Sequence, residues 1–196
     1  MSIDDHNIKE DQLKAWFKAV ESLDNETVRD YLLTLLFTGM RQLEAARLRW
    51  TDVDLTNNTI TVGETKARRP RTLPVSDYLH GLLLSRRQKR TSDFVFPEPD
   101  GAGHIVDVRC QIAHVIDESG INFTIHDLRR TFLAAAARLD ISYYTWVRLA
   151  NHKVEKDVTA GYPIANVEDL RKPMQQITDY LKEQAQIETR SRKRGR

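Results

Sequence analysis

Apolar residues recur at helical spacing along most of the chain, and only between residues 53 and 75 does the pattern change to alternation with polar ones. That single change restricts the fold to a helical domain carrying one small sheet. Leu13, Trp16, Phe17 and Val20 mark a first helix, and Val28, Tyr31, Leu32, Leu35 and Leu36 mark a second that Gly39 ends. A short helix through Leu43, Ala46 and Leu48 follows. Trp50, Val53 and Leu55, the pair Asn57-Asn58, then Ile60 and Val62 read as a hairpin. Residues 72–75 read as a third strand, which Pro74 confines to an edge or a strand end. Beyond Ser76 the periodicity predicts helices over 78–87, 108–118, 125–139, 143–149 and 167–187. The alanine run 134–137 favours helix and lets a neighbouring element pack closely. The expected class is α+β, mostly α-helical with a small three-stranded antiparallel sheet.

A chain of 196 residues with 40% hydrophobic content supplies one substantial core. Residues 1–188 therefore read as one domain and residues 189–196 as a basic, disordered tail. The lone Cys110 excludes an internal disulfide, and the acidic start lacks the positive charge and apolar run of a signal peptide. The longest apolar stretches, such as 31–37, are too short to span a bilayer. These features predict a soluble, cytoplasmic protein with no membrane partner.

Charge is distributed unevenly. Of 30 basic residues, Arg190, Arg192, Lys193, Arg194 and Arg196 lie in the tail, which leaves 25 basic against 28 acidic residues elsewhere. Long-range steering toward a polyanion is then weak, and any nucleic-acid surface has to be a local patch. Lys66, Arg68, Arg69 and Arg71 form one candidate cluster, and Arg86, Arg87, Lys89 and Arg90 another. Each also reads as an ordinary solvated loop or helix end.

Several residues suit phosphate chemistry. His126 and Arg129, three apart at the start of an expected helix, share a face near backbone N–H groups that favour an anion. They read either as a phosphate clamp or as a capping histidine beside a surface arginine. Arg41 follows Thr38-Gly39 and precedes Glu44 by three residues, so the glutamate can hold its guanidinium. Such a fixed planar fork matches two phosphate oxygens, although an ordinary surface ion pair has the same local sequence. Tyr162 is a phenol with an ordinary pKa near ~10, so nucleophilic attack by it needs nearby positive charge or a proton acceptor. His152 can hydrogen-bond a nonbridging oxygen. A lone tyrosine is otherwise a packing residue, which is the reading for Tyr143, Tyr144 and Tyr180. No Cys pair, His-Glu-x-x-His or dense carboxylate cluster accompanies the histidines, so no metal is expected.

The segments Thr-Gly-Met-Arg-Gln-Leu-Glu (38–44), His-Asp-Leu-Arg-Arg-Thr (126–131) and Asn-His-Lys followed by Gly-Tyr (151–162) resemble the signature of the tyrosine recombinases, the phage integrase family. The likeness covers roughly residues 10–165 and rests on order and context. Two positions depart from the usual pattern: Asn151 stands where glycine is typical, and Tyr162 lies ten residues after His152, one more than the commonest spacing. The resemblance implies the tyrosine recombinase catalytic-domain fold and assigns roles. Tyr162 would be the nucleophile, while Arg41, Arg129 and His152 would bind the phosphate. Lys66 would act as general acid and His126 would assist proton transfer. Arg68, Arg69, Arg71 and Arg130 would contact DNA. It also implies site-specific DNA recombination through a 3′-phosphotyrosyl intermediate, on double-stranded DNA, by a tetramer assembled from monomers. A type IB topoisomerase-like relaxation activity and a non-catalytic DNA-binding remnant are the alternatives.

Family members normally carry a core-binding domain ahead of the catalytic one, and nothing before Ile8 is long enough to be it, so the chain is expected to be one part of a longer protein or a natural remnant. Leu170, Met174, Ile177 and Leu181 form an amphipathic stripe on the last helix, which suits packing on its own domain or docking on a neighbouring protomer. The resemblance tips this reading toward the neighbour.

Overall fold

The segment richest in apolar side chains becomes the helix around which everything else is arranged. In this computed structural model, which describes residues 7–63, 70–150 and 166–187, helix α2 (Glu26–Thr38) is buried continuously from Tyr31 to Thr38. A helix apolar on all sides has to be surrounded. The Asn25 side chain caps it, accepting from the N–H groups of Thr27 and Val28 at 3.1 Å each. Its two buried threonines satisfy their hydroxyls on the preceding turn: Thr34 donates to the Asp30 carbonyl at 2.8 Å and Thr38 to the Thr34 carbonyl at 2.6 Å.

Helix α1 (Glu10–Glu21) packs beside it, burying Leu13, Trp16 and Val20. The short α3 (Gln42–Ala46) leads through a 3₁₀ turn at Trp50–Asp52 to the sheet. Strands β1 (Val53–Asp54), β2 (Thr59–Val62) and β3 (Arg71–Pro74) are antiparallel in the order β1-β2-β3. Ile60 pairs with Leu73, and both point to the core. β3 is an edge, which accommodates the missing N–H of Pro74. The hairpin is shorter at its start than the alternation predicts. Asp52 draws in the Arg49 N–H at 3.0 Å, and Asp54 those of Thr56 and Asn57 at 2.9 Å each, so both ends of the expected first strand curl into turns.

Five further helices follow among the described residues: α4 (Asp77–Gln88), α5 (Arg109–Ser119), α6 (Ile125–Arg138), α7 (Tyr143–Ala150) and α8 (Val167–Gln184). α6 lies against α2 and α8, and α5 against α1. No described helix is long and apolar enough to cross a membrane. The tail 189–196 falls outside the described residues.

Two expectations are corrected. In the cluster Arg86, Arg87, Lys89 and Arg90, the last three are exposed as a helix end would be, but Arg86 is built into the fold. Arg86 donates to Asp30 at 3.0 Å, to the Val95 carbonyl at 3.1 Å and to Thr27 at 3.2 Å, and only 12% of its side chain is exposed. Lys89 pairs with Glu26 and Arg90 with Asp93. Buried Asp30 is shared by two cations, Arg86 on one oxygen and Arg29 on the other at 3.0 Å each, which offsets the cost of burying its charge.

The stripe of α8, in turn, is inserted into its own domain. Leu170, Met174, Ile177 and Leu181 join the core. Polar ties fix the helix along its length: Arg171 donates to the carbonyls of Asn57 and Asn58, Gln175 accepts the Asp77 N–H at 3.0 Å, and the Tyr180 hydroxyl donates to Glu10. Ile177→Ala should therefore destabilise the monomer by about 2–5 kcal/mol in urea unfolding. A cost below about 0.5 kcal/mol, the level of an exposed site, would mean that the stripe is not part of this core.

Candidate active site

The corner between α2 and α3 sets the site. Gly39 ends α2 in the left-handed region at φ +61°, a conformation that disfavours a side chain by about 1–2 kcal/mol. Space imposes the same requirement, because a Cβ built on Gly39 would stand 2.5 Å from the ring of Phe132 on α6. With the ring that close, the Gly39 carbonyl faces α6 and accepts a hydrogen bond from Arg129. Arg129 is 5% exposed. The chain then turns through buried Met40, whose N–H reaches the Thr38 hydroxyl at 3.2 Å, and delivers Arg41 to the start of α3.

Arg41 is held as its spacing to Glu44 predicts. The Arg41 backbone N–H donates to one Glu44 oxygen at 3.0 Å, and its guanidinium to the other at 3.2 Å. The Glu44 side chain is 6% exposed while that of Arg41 is 36% exposed, so the anchor is buried and the guanidinium reaches toward solvent. Burial raises the Glu44 carboxyl, but the Arg41 N–H and the charges of Arg71 and Arg41 outweigh it and leave the pKa below the ordinary 4.5.

The first turn of α6 supplies the rest. The Thr124 N–H and hydroxyl donate to the Asp127 carboxylate at 2.8 and 2.7 Å, closing the N-terminus, and the other Asp127 oxygen takes Arg130 at 2.9 Å. The Thr-x-x-Asp word at 124–127 is the sequence signal of this cap. The same turn exposes His126 above buried Arg129. Partial burial lowers the His126 pKa from 6.5, and the charges of Arg130, Arg129 and Arg41 lower it further. The structure thus brings Arg41, His126 and Arg129 to one corner, with Arg130 at its rim.

Arg71 differs from expectation. Its guanidinium, 14% exposed, meets Glu44 at 3.1 Å and the Leu149 carbonyl at 2.5 Å. Lys66, Arg68, Arg69, His152 and Tyr162 lie outside the described residues. Among the described residues, no three His, Cys, Asp or Glu side chains converge so as to hold a metal ion.

A neutral imidazole beside guanidinium groups can donate one hydrogen bond and accept another without adding charge, and its free nitrogen can take a proton. Its depressed folded pKa means that His126 contributes to stability above pH 6.5, and that the contribution is lost as pH falls through the folded value. In an NMR titration, the His126 ring should show a midpoint below 6.5, and Arg130→Met should move it up. A midpoint at or above 6.5 in the wild type would place the ring away from the three arginines.

Comparison with known proteins agrees with the helical fold. The sequence profile of the phage integrase family matches residues 6–163. The prophage integrase IntF of Escherichia coli strain K12 is 29% identical over 189 residues, covering 93% of this chain and 40% of that protein. The chain thus spans less than half the length of this curated relative. Among solved structures, the integrase from mycobacterium phage Brujita superposes with a TM-score of 0.67 at 19% identity, covering 92% of this chain and 63% of that one. The Tn1549 transposon integrase, solved in complex with circular intermediate DNA, gives a TM-score of 0.62 at 17% identity, covering 81% and 61%. Both structural likenesses concern the fold, that of tyrosine recombinase catalytic domains, while the profile match spans most of the chain: it belongs to the phage integrase family.

Proposed function

We propose that this chain is the DNA-cleaving domain of a site-specific integrase, and that it breaks and rejoins a phosphodiester by transesterification. The observation that carries the reading is the convergence of Arg41, His126 and Arg129 at the Gly39 corner, with Arg41 held by Glu44 and Arg129 by the Gly39 carbonyl. Two guanidinium groups presented to one phosphate would neutralise the charge that grows on its equatorial oxygens as a fifth oxygen approaches.

In this mechanism the Tyr162 phenol oxygen attacks the phosphorus, a 3′-phosphotyrosyl bond forms, and the bond to the 5′-oxygen breaks. The phenol proton leaves by way of a nearby base, and Lys66 protonates the departing 5′-oxygen. His126, kept neutral, assists proton movement, and His152 hydrogen-bonds a nonbridging oxygen. Reversal with a 5′-hydroxyl from a partner duplex completes strand exchange. The energy of the original ester is retained in the protein link, so the reaction calls for no cofactor. Arg130 and the loop residues Arg68 and Arg69 would meet neighbouring phosphates. Double-stranded DNA is the proposed partner, with monomers gathering into a tetramer on it. Residues 1–188 would form this domain, and the setting would be the cytoplasm of a bacterial or phage-infected cell.

The test is incubation with a nicked suicide duplex in chelator, followed by denaturing electrophoresis. Wild type should give a covalently shifted band and Tyr162→Phe none, a loss of at least about 10³-fold for removal of an essential nucleophile. An unshifted wild type on a cognate site, or a band that survives Tyr162→Phe, would sink the proposal. Relaxation of supercoiled plasmid by a monomer would instead favour the topoisomerase alternative.

A further inference from the structure

Arg71 occupies a position that direct DNA contact does not explain. It lies at the start of β3, opposite Val62, and its guanidinium turns inward between two other elements. One terminal nitrogen, Nη2, donates to Glu44 Oε2 at 3.1 Å. The other, Nη1, donates to the Leu149 carbonyl at 2.5 Å and the Arg148 carbonyl at 3.4 Å. These carbonyls belong to the last described turn of α7, and the dipole of a helix favours a cation near its C-terminal end. The α7 terminus therefore orients Arg71, and Arg71 presents its second nitrogen to Glu44.

Glu44 is the residue that holds Arg41. Its Oε2 takes both the Arg71 guanidinium and the Arg41 backbone N–H, while Oε1 takes the Arg41 side chain. With both oxygens engaged and the side chain 6% exposed, the carboxylate has little rotational choice. Without Arg71, Oε2 would lose one of its two donors and the carboxylate could swing, carrying the Arg41 fork with it. A planar fork is effective only when its orientation is fixed.

We propose that Arg71 is a positioning residue for the phosphate site, bracing Glu44 from the end of α7 so that Arg41 keeps its orientation, and that it does not itself contact DNA. This rests on the function proposed above. It predicts a coupling between two arginines that do not serve the same ligand, and no contribution of Arg71 to counterion release.

The experiment is a double-mutant cycle on the single-turnover rate of covalent capture, combined with the salt dependence of DNA affinity. Arg71→Met should slow capture by about 30-fold or more when Arg41 is present, and by less than about threefold in an Arg41→Ala background, the non-additivity of residues that act as a unit. The slope of log affinity against log salt should stay unchanged in Arg71→Met, whereas loss of a real phosphate contact makes it shallower by about one. Thermal melts identify any variant that fails to fold. Should Arg71→Met be one, Arg71→Lys takes its place, since a point charge can reach Glu44 or the α7 carbonyls but lacks the fork to span both. Equal capture rates, full additivity with Arg41→Ala, or a shallower salt slope would each overturn the inference. Absence of capture by wild type is a separate outcome that removes the proposed function, and this brace with it.

Discussion

The hydrogen bond from Arg129 to the Gly39 carbonyl is the contact on which the arrangement depends. A guanidinium buried to 5% exposure loses much of its hydration, and only well-placed acceptors make that tolerable. The carbonyl is available because α2 ends in a left-handed residue, and α6 can approach because that residue has no Cβ to meet Phe132. One atom thus fixes the distance between the helix that leads to Arg41 and the helix that carries His126 and Arg129. Packing and electrostatics are joined at that point.

The rest of the domain separates its cations by the carboxylates they meet. With positive and negative charges nearly balanced over the sequence, arginines enter the structure as braces where a carboxylate is buried nearby. Arg86 meets Asp30, and Arg71 meets Glu44, in both cases with carboxylates under 10% exposed. Arg41 and Arg130 also have acidic partners, but their side chains keep about a third of their surface in solvent. Among these four arginines the difference is one of depth, and a count of charges in a loop does not report it.

That explains what was legible in the sequence. Helices α1, α2, α5, α6 and α8 follow the apolar periodicity to within a few residues, because each presents a stripe or a full surface to one core. The corner at Gly39 and the pairing of Arg41 with Glu44 were also readable, since both are settled within one turn of chain. Arg71 and Arg86 were not. Their partners are 27 and 56 residues away, and local composition carries no information about a carboxylate brought in by the fold. The stripe on α8 failed as a guide for a related reason. An amphipathic face announces that it will be covered and says nothing of whose surface covers it; that was decided by Arg171, Gln175 and Tyr180, which find partners in β1–β2, α4 and α1.

The chain's entry into the domain has a mechanical meaning. The N–H of Ile8 donates to the Thr131 hydroxyl at 3.0 Å, and that hydroxyl donates to the Asp127 carbonyl at 2.8 Å. Both Ile8 and Thr131 are buried, and Thr131 lies two residues beyond Arg129. Ile8 is thus tied to α6 by two hydrogen bonds in series as well as by its place in the core. The first turn of α6, where His126 and Arg129 sit, is the near end of a short lever whose handle is the point at which the polypeptide arrives.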